Sequence, residues 1–299
     1  MNGIIPLYKP RGMTSADCVY QLRKILHEKK IGHTGTLDPE VDGVLVICVG
    51  QATKLVNLLM QKPKTYQGQI TLGVATTTED ATGEIIQQTK LLQPFTTEQI
   101  VQTMQSLCGT IQQTPPLYSA VRVNGKHLYE YARAHQNVER PTRTVEIYRF
   151  ELKNHPCWLQ EAGQQIIDFT VQCSKGTYIR TLAVQLGEQL QVPAHMSQLT
   201  RITGGGFELA NTVSLEQIKV QVDAAQSDFL LPISTIFHHL QRYNLNTEQW
   251  QQVQNGQKLT LPSIKAQQVA LYYKDILKAI YNYHSNSYEP QLMLLKNDR

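Results

Sequence analysis

The 299-residue sequence predicts an α+β fold, and three observations predict it. Segments with apolar residues at helical spacing are interspersed with segments of two-residue alternation. The two kinds do not alternate regularly as strand–helix–strand units, which argues against a parallel α/β sheet. After about residue 240 the composition turns rich in tyrosine, as in a small β domain following the main one. The predicted division is 1–240 and 241–299.

Thr14-Ser15-Ala16-Asp17 reads as a helix start, a hydroxyl cap with a carboxylate three residues on. Val19, Leu22, Ile25 and Leu26 then mark one apolar face, with Arg23, Lys24 and Lys30 mostly opposite. Val44 to Val49 is a continuous apolar run, as in a strand buried on both faces. Ala52 to Met60 reads as helical. Tyr66, Gly68, Ile70, Leu72 and Val74 alternate with polar residues and predict a half-buried strand. Residues 97–108 form an amphipathic helix ending near Gly109. Asn124-Gly125 marks a tight hairpin turn. Residues 143–153 and 165–173 are strands, and Thr177 to Leu190 is a helix entered through Ser174-Lys175-Gly176. In the tail, VALYYKDILKAIYNY predicts a hairpin turning at Lys274-Asp275, and Pro290 precedes a further strand, QLMLL.

Composition narrows the function. Apolar residues make up 41%, or about 47% with the 18 glycines, which is ordinary for a globular chain and excludes disorder. Charged residues are only 17%, and 34 glutamines keep the surface polar without charge. No apolar run approaches the 18 or so residues of a membrane span, and the N-terminus lacks the pattern of a secretory leader. The five cysteines are scattered without a CxxC pair, so neither a zinc site nor a disulfide framework is expected. Free thiols in a reducing cytoplasm are the expectation. The net charge of +4 sits entirely within residues 1–35, a bias compatible with a polyanion partner as well as with a solvated helix face.

Three segments could carry chemistry. The first is Gly32-His33-Thr34-Gly35-Thr36-Leu37-Asp38-Pro39, followed by Asp42-Gly43. Proline pushes Asp38 out of the helical region, just before a buried strand. Asp-Pro and Asp-Gly are also ordinary turn dipeptides, so these residues alone leave a plain turn as the commoner reading. The second is Lys64-Thr65-Tyr66 at a strand start, where a tyrosine is more often core than functional. The third is Cys173 to Leu182. There Ser174-Lys175-Gly176-Thr177 feeds a helix N-terminus, and Arg180 lies in the first turn. The helix dipole disfavours a cation there, so Arg180 either wants an anionic partner or faces solvent.

These segments, with Pro115 to Lys126 and with Ala194-His195-Met196, Leu199 and Arg201, occur in an order and spacing that closely resemble the TruB family of bacterial tRNA pseudouridine synthases. The resemblance covers the whole chain and is strongest over residues 3–207. It implies a pseudouridine synthase fold, with a central mixed, mainly antiparallel sheet flanked by helices, and a PUA-like RNA-binding tail. It implies conversion of the T-loop uridine 55 of tRNA to pseudouridine. Asp38 matches the catalytic aspartate. Tyr66 matches the tyrosine that stacks on the target base and is a candidate for proton transfer at C5. Arg180 matches the arginine that pairs with the aspartate. His33, Tyr178 and Leu199 match residues lining the pocket for the flipped nucleotide. The sequence departs from the family at Glu40-Val41-Asp42-Gly43, where an apolar residue, Ala-Thr and Gly are more usual. The two extra carboxylates are expected to point to solvent.

The implied reaction is an isomerisation that needs no redox group or metal, so no cofactor is expected. It needs an ionised carboxylate beside the ribose, which Arg180 would keep charged, and an aromatic face for the extracted base. Lys9, Arg11, Lys24, Lys64, Arg122, Lys126 and Arg143 are expected to contact RNA phosphates. The expected partner is the tRNA T-arm, and a monomer is expected because no apolar stripe lacks an intramolecular use. Two other readings share the pocket: a tRNA-folding chaperone whose binding is separable from catalysis, and a nucleoside hydrolase directing water to C1′.

Overall fold

A computed structural model describes residues 1–295. The chain opens with β1 (Gly3–Lys9), α1 (Ser15–Leu26), β2 (Ile31–His33) and β3 (Asp42–Val49). Thr14 caps α1 through a complete capping box: its hydroxyl accepts from the Asp17 N–H and the Asp17 carboxylate accepts from the Thr14 N–H. Gly50–Leu55 is a 3-10 turn, and only α2 (Val56–Gln61) is α-helical, so the single helix expected over Ala52–Met60 is half of the tighter form. Then come β4 (Lys64–Leu72), the small hairpin β5 (Val74–Thr76) and β6 (Ile85–Gln88), α3 (Thr97–Ser106) and β7 (Gly109–Gln113). A second small hairpin, β8 (Arg122–Val123) and β9 (Lys126–His127), turns at Asn124-Gly125 with both residues at positive φ, as a two-residue turn demands. It leads into α4 (Leu128–Arg133). The body continues through β10 (Arg143–Leu152), β11 (Cys157–Leu159), β12 (Gln164–Cys173), α5 (Ile179–Gln189), β13 (Ala194–Gly204), β14 (Phe207–Glu208) and α6 (Leu215–Asp223).

One sheet organises this body, in the order β1-β3-β13-β4-β12-β10-β7. All pairings along that path are antiparallel except β3 with β13, so the sheet is mixed and mainly antiparallel. The parallel contact is tight. A Cβ on Gly43, which sits at φ +110°, would lie 2.2 Å from the Arg201 carbonyl oxygen, so only glycine lets β3 approach β13 here. β3 is buried on both faces. Leu45, Ile47 and Val49 join α1 and α6, whereas Val44, Val46 and Cys48 join a cluster that includes Ala270, Leu277 and Ile280 of the tail. A third cluster packs α3 and α5 on the sheet around Phe150, Phe169 and Leu182.

The tail comprises β15 (Gln241–Asn244), α7 (Thr247–Gln254), β16 (Gln268–Tyr273), β17 (Ile276–His284) and β18 (Ser287–Met293), its strands paired in that order. The β16–β17 hairpin turns at Lys274-Asp275, both left-handed. Pro290 lies inside β18 rather than before it, at the register shift opposite Tyr281, where the ladder is already interrupted and a missing N–H costs little. Among the described residues no helix is long and apolar enough to cross a membrane.

Candidate active site

Asp38 stands on the connection from β2 to β3, and its neighbours are pinned from two sides. The Leu37 N–H donates to Ser15 Oγ at 2.9 Å, at the start of α1. The Lys9 ammonium, fully buried, donates to the carbonyls of Pro10 (2.8 Å), Met13 (2.6 Å) and Pro39 (3.1 Å). Lys9 therefore corrects the expectation of a phosphate contact: its three donors are spent on holding the loop.

Arg180 approaches Asp38 from the first turn of α5. Its Nη2 lies 2.9 Å from Asp38 Oδ2 and its Nη1 3.7 Å from Asp80 Oδ2. The same nitrogens donate to the carbonyls of Tyr118 and Thr78, each at 3.0 Å. A cation near a helix N-terminus needs compensation, and here it comes from two carboxylates and two carbonyls. α5 starts at Ile179 with Tyr178 as its cap residue, two residues later than the sequence suggests. Asp80 is held in turn by the Thr78 and Thr82 hydroxyls, both at 2.6 Å.

Around this pair lies a cavity of about 420 Å³, within the usual range of small-ligand sites of roughly 300–1,000 Å³. Asp38, Tyr66, Tyr178, Arg180 and Leu199 all line it. So do six cations, Lys64, Arg122, Arg143, Lys175, Arg180 and Arg201, whereas Asp38 is the single carboxylate among the described lining residues. Tyr66 and Arg201 are direct cross-strand partners on β4 and β13. Burial pushes the Tyr66 phenol up, against the pull of the Arg201 cation. Burial also raises Tyr178, opposed by Arg143, Ser119 and Arg180. The Lys64 ammonium is pushed down to about 8 by burial and then by Arg201, and it donates to the carbonyls of Met60 (2.5 Å) and Lys62 (2.9 Å).

Other expectations need correction. His33 does not line the cavity: its Nδ1 accepts from the Gly35 N–H at 3.4 Å, which shapes the loop before Asp38. Burial and Arg201 hold its pKa below the usual histidine range. Asp42 does not point freely to solvent. Its Oδ1 accepts from Thr200 Oγ1 at 2.5 Å, its Oδ2 from Tyr8 Oη at 3.2 Å, and Arg11 lies 3.5 Å away. Glu40 is exposed, as expected. Lys24 and Lys126 are exposed but do not line the cavity; they lie over the Tyr20 and Tyr131 rings.

The sequence reading gave no role to Arg201, Lys175, Asp80 or Ser119. Arg201 is buried, with Nε donating to the Val44 carbonyl at 2.6 Å and Nη2 to the Gly35 carbonyl at 3.2 Å. A signal existed, since Leu199 and Arg201 are two apart on a strand and so share a face. Asp80 lies in a Thr-Thr-Thr-Glu-Asp loop, where no periodicity marks it.

Residues 23–179 match the TruB family pseudouridylate synthase N-terminal domain, and residues 180–238 match the tRNA pseudouridylate synthase B C-terminal domain. The chain is 48% identical over 301 residues to the tRNA pseudouridine synthase B of Latilactobacillus sakei, covering 99% of each chain. It is 50% identical over 299 residues to the protein of the same name from Ligilactobacillus salivarius, covering 98% of this chain and 99% of that one. Among solved structures, a chain of a Cbf5-Nop10-Gar1 complex superposes with a TM-score of 0.70 at 24% identity, covering 99% of this chain and 86% of that one. This last likeness is one of fold.

Proposed function

The chain belongs to the TruB family of tRNA pseudouridine synthases and forms pseudouridine in tRNA; from that premise we propose that its target is uridine 55 of the T-loop, flipped into the cavity beside Asp38. One observation carries the proposal: the single carboxylate among the described lining residues is held 2.9 Å from a buried arginine, inside a cavity whose wall also carries five further cations and two tyrosines.

The residue types suit the reaction. The N1–C1′ bond must break, the uracil must turn, C5 must bond to C1′, and the C5 proton must leave while N1 gains one. Asp38, paired with Arg180 and partly open to the cavity, either adds to C1′ or takes the C2′ proton. The Tyr66 ring offers a stacking face that replaces part of the base stacking lost on flipping, which costs a few kcal/mol. Tyr66 is also the candidate carrier of the C5 proton. Tyr178 and Leu199 shape the wall. Arg122, Arg143 and Lys175, exposed at the rim, are placed for the phosphates on either side of the flipped nucleotide. We assign catalysis to residues 1–240 and an accessory RNA contact to residues 241–299.

The test is tritium release from a T-arm stem-loop RNA labelled at uridine C5. Release by the unaltered protein, with none from Asp38→Asn and RNA binding retained, supports the assignment. Tight binding without release by the unaltered protein would reject it in favour of RNA chaperoning or a different target uridine.

A further inference from the structure

Among the described residues lining the cavity, one buried side-chain polar atom has no hydrogen-bond partner. Ser119 is 6% exposed, and its Oγ is shielded from solvent and makes no hydrogen bond. Buried hydroxyls are rarely left unpaired, and an exception calls for a physical reason. A loosely held loop is not the reason here. The carbonyls of four consecutive residues are engaged: Tyr118 accepts from Arg180 Nη2, Ser119 from the Tyr129 N–H, Ala120 pairs with His127 Nδ1, and Val121 accepts from the Leu128 N–H. The carbonyls are held at every step, while the hydroxyl has no partner. Tyr178, which shares the cavity wall, is the neighbour whose phenol Ser119 holds down against the upward push of burial.

We propose that Ser119 determines base specificity by donating its hydroxyl proton to a carbonyl oxygen of the flipped uracil, both before and after the base turns. The inference rests on the proposed flipping of uridine into this cavity. Its logic comes from the reaction's symmetry. To bring C5 to the place of N1, the ring turns by half a revolution about the axis through N3 and C6. That turn also exchanges C2 with C4, so O2 takes the place of O4. A fixed donor facing one carbonyl oxygen therefore meets another afterwards, and the base is held in both orientations. Cytosine presents one carbonyl and one amino group, so the same donor would meet a donor in one orientation. A serine suits the task because it reaches the base through a single torsion and has little side-chain entropy to lose.

The test compares single-turnover tritium release by the full-length parent, Ser119→Ala and Ser119→Thr on T-arm RNAs carrying uridine, 4-thiouridine, 2-thiouridine or 2′-deoxyuridine at the target. Sulfur is the weaker acceptor. Ser119→Ala should slow release about tenfold with RNA affinity and Tm unchanged, as for loss of one hydrogen bond made during turnover. Ser119→Thr should recover most of the rate. The thio substitutions should slow the parent and add nothing further in Ser119→Ala. Unchanged release by Ser119→Ala would overturn the proposal. So would a 2′-deoxy penalty that disappears in Ser119→Ala, which would assign the hydroxyl to the ribose. A rate loss accompanied by a lowered Tm and no rescue by threonine would reduce Ser119 to a packing role and also overturn it. Failure of the underlying reading is distinguishable, because then the parent itself releases no tritium.

Discussion

The Arg180 guanidinium lies 2.9 Å from the Asp38 carboxylate, and the two differ sharply in exposure: the arginine side chain is 5% exposed and the aspartate 40%. The cation is enclosed and multiply bonded, whereas the anion opens onto the cavity. The pair is therefore a mount for a reactive carboxylate. Replacing Asp38 by Asn keeps the shape and removes the charge. Tritium release should fall by at least about 10³-fold, within the range that acid–base or nucleophilic groups supply, while T-arm RNA affinity changes little. Filter binding beside the release assay checks both halves.

Arg180 should behave differently from its partner. Arg180→Lys keeps one charge but cannot reach two carboxylates and two carbonyls from one nitrogen, so release should fall about 10²-fold with the fold intact. Arg180→Ala leaves the Thr78 and Tyr118 carbonyls without this donor and Asp38 and Asp80 without their shared cation. Leaving these partly enclosed acceptors unpaired should cost about 1–3 kcal/mol of stability, which urea titration would register.

Much of this arrangement is legible in the sequence, and the parts that are not share a cause. The capping box at Thr14, the two-face burial of Val44–Val49 and the hairpins at Asn124 and Lys274 follow from local patterns that obey helix and strand periods. The place of Arg180 in the first turn of a helix narrows it to an anionic partner or to solvent, and the structure supplies the anion. What local pattern cannot show is which anion meets it: Asp80 comes from a loop about a hundred residues away in sequence. Lys9 misleads for a related reason. A lysine in a basic N-terminal segment reads as solvated, and only the convergence of three carbonyls from Pro10, Met13 and Pro39 makes burial of its ammonium tolerable.

That contrast between cations can be measured. Arg143→Ala and Lys175→Ala should weaken RNA binding and each reduce the slope of log affinity against log salt by about 1, as expected for lost phosphate contacts. Lys9→Met should leave the slope unchanged and destabilise the protein by about 2–4 kcal/mol, because buried carbonyls lose their donor. Equal slopes for Arg143→Ala and the parent would remove Arg143 from the RNA interface.

Lys64 supplies a pH signature of the folded state. Its pKa falls from an ordinary 10.5 to about 8 through burial and the Arg201 cation. Between these values the unfolded chain keeps a proton that the folded chain has released, so stability attributable to this group rises with pH. The cost of enclosing the ammonium is present in full below pH 8 and disappears by about pH 10.5. Lys64→Met carries no such cost. The stability of Lys64→Met relative to the parent should therefore drop by about 3 kcal/mol between pH 7 and pH 10.5, from 1.36 kcal/mol per pKa unit. Urea titrations at four pH values would show it, and a pH-independent difference would contradict it.

Tyr66 joins two roles that a single atom separates. Tyr66→Phe keeps the ring against which the base is proposed to stack and deletes the hydroxyl beside Arg201. Burial holds the Tyr66 phenol above the usual tyrosine range, so little of it is ionised at neutral pH. If the phenolate carries away the C5 proton, tritium release by the parent should rise with pH above neutrality, as the reactive fraction grows. Tyr66→Phe should abolish that rise and slow release by about 10²-fold or more, with RNA affinity preserved by the remaining ring. Tyr66→Ala should lose affinity as well, by the roughly 1–3 kcal/mol that base–aromatic stacking contributes. Stopped reactions from pH 6 to pH 9 on the three proteins would resolve the roles. A parent profile that is flat with pH and matched by Tyr66→Phe would leave Tyr66 as a stacking platform alone and assign the C5 proton to another group.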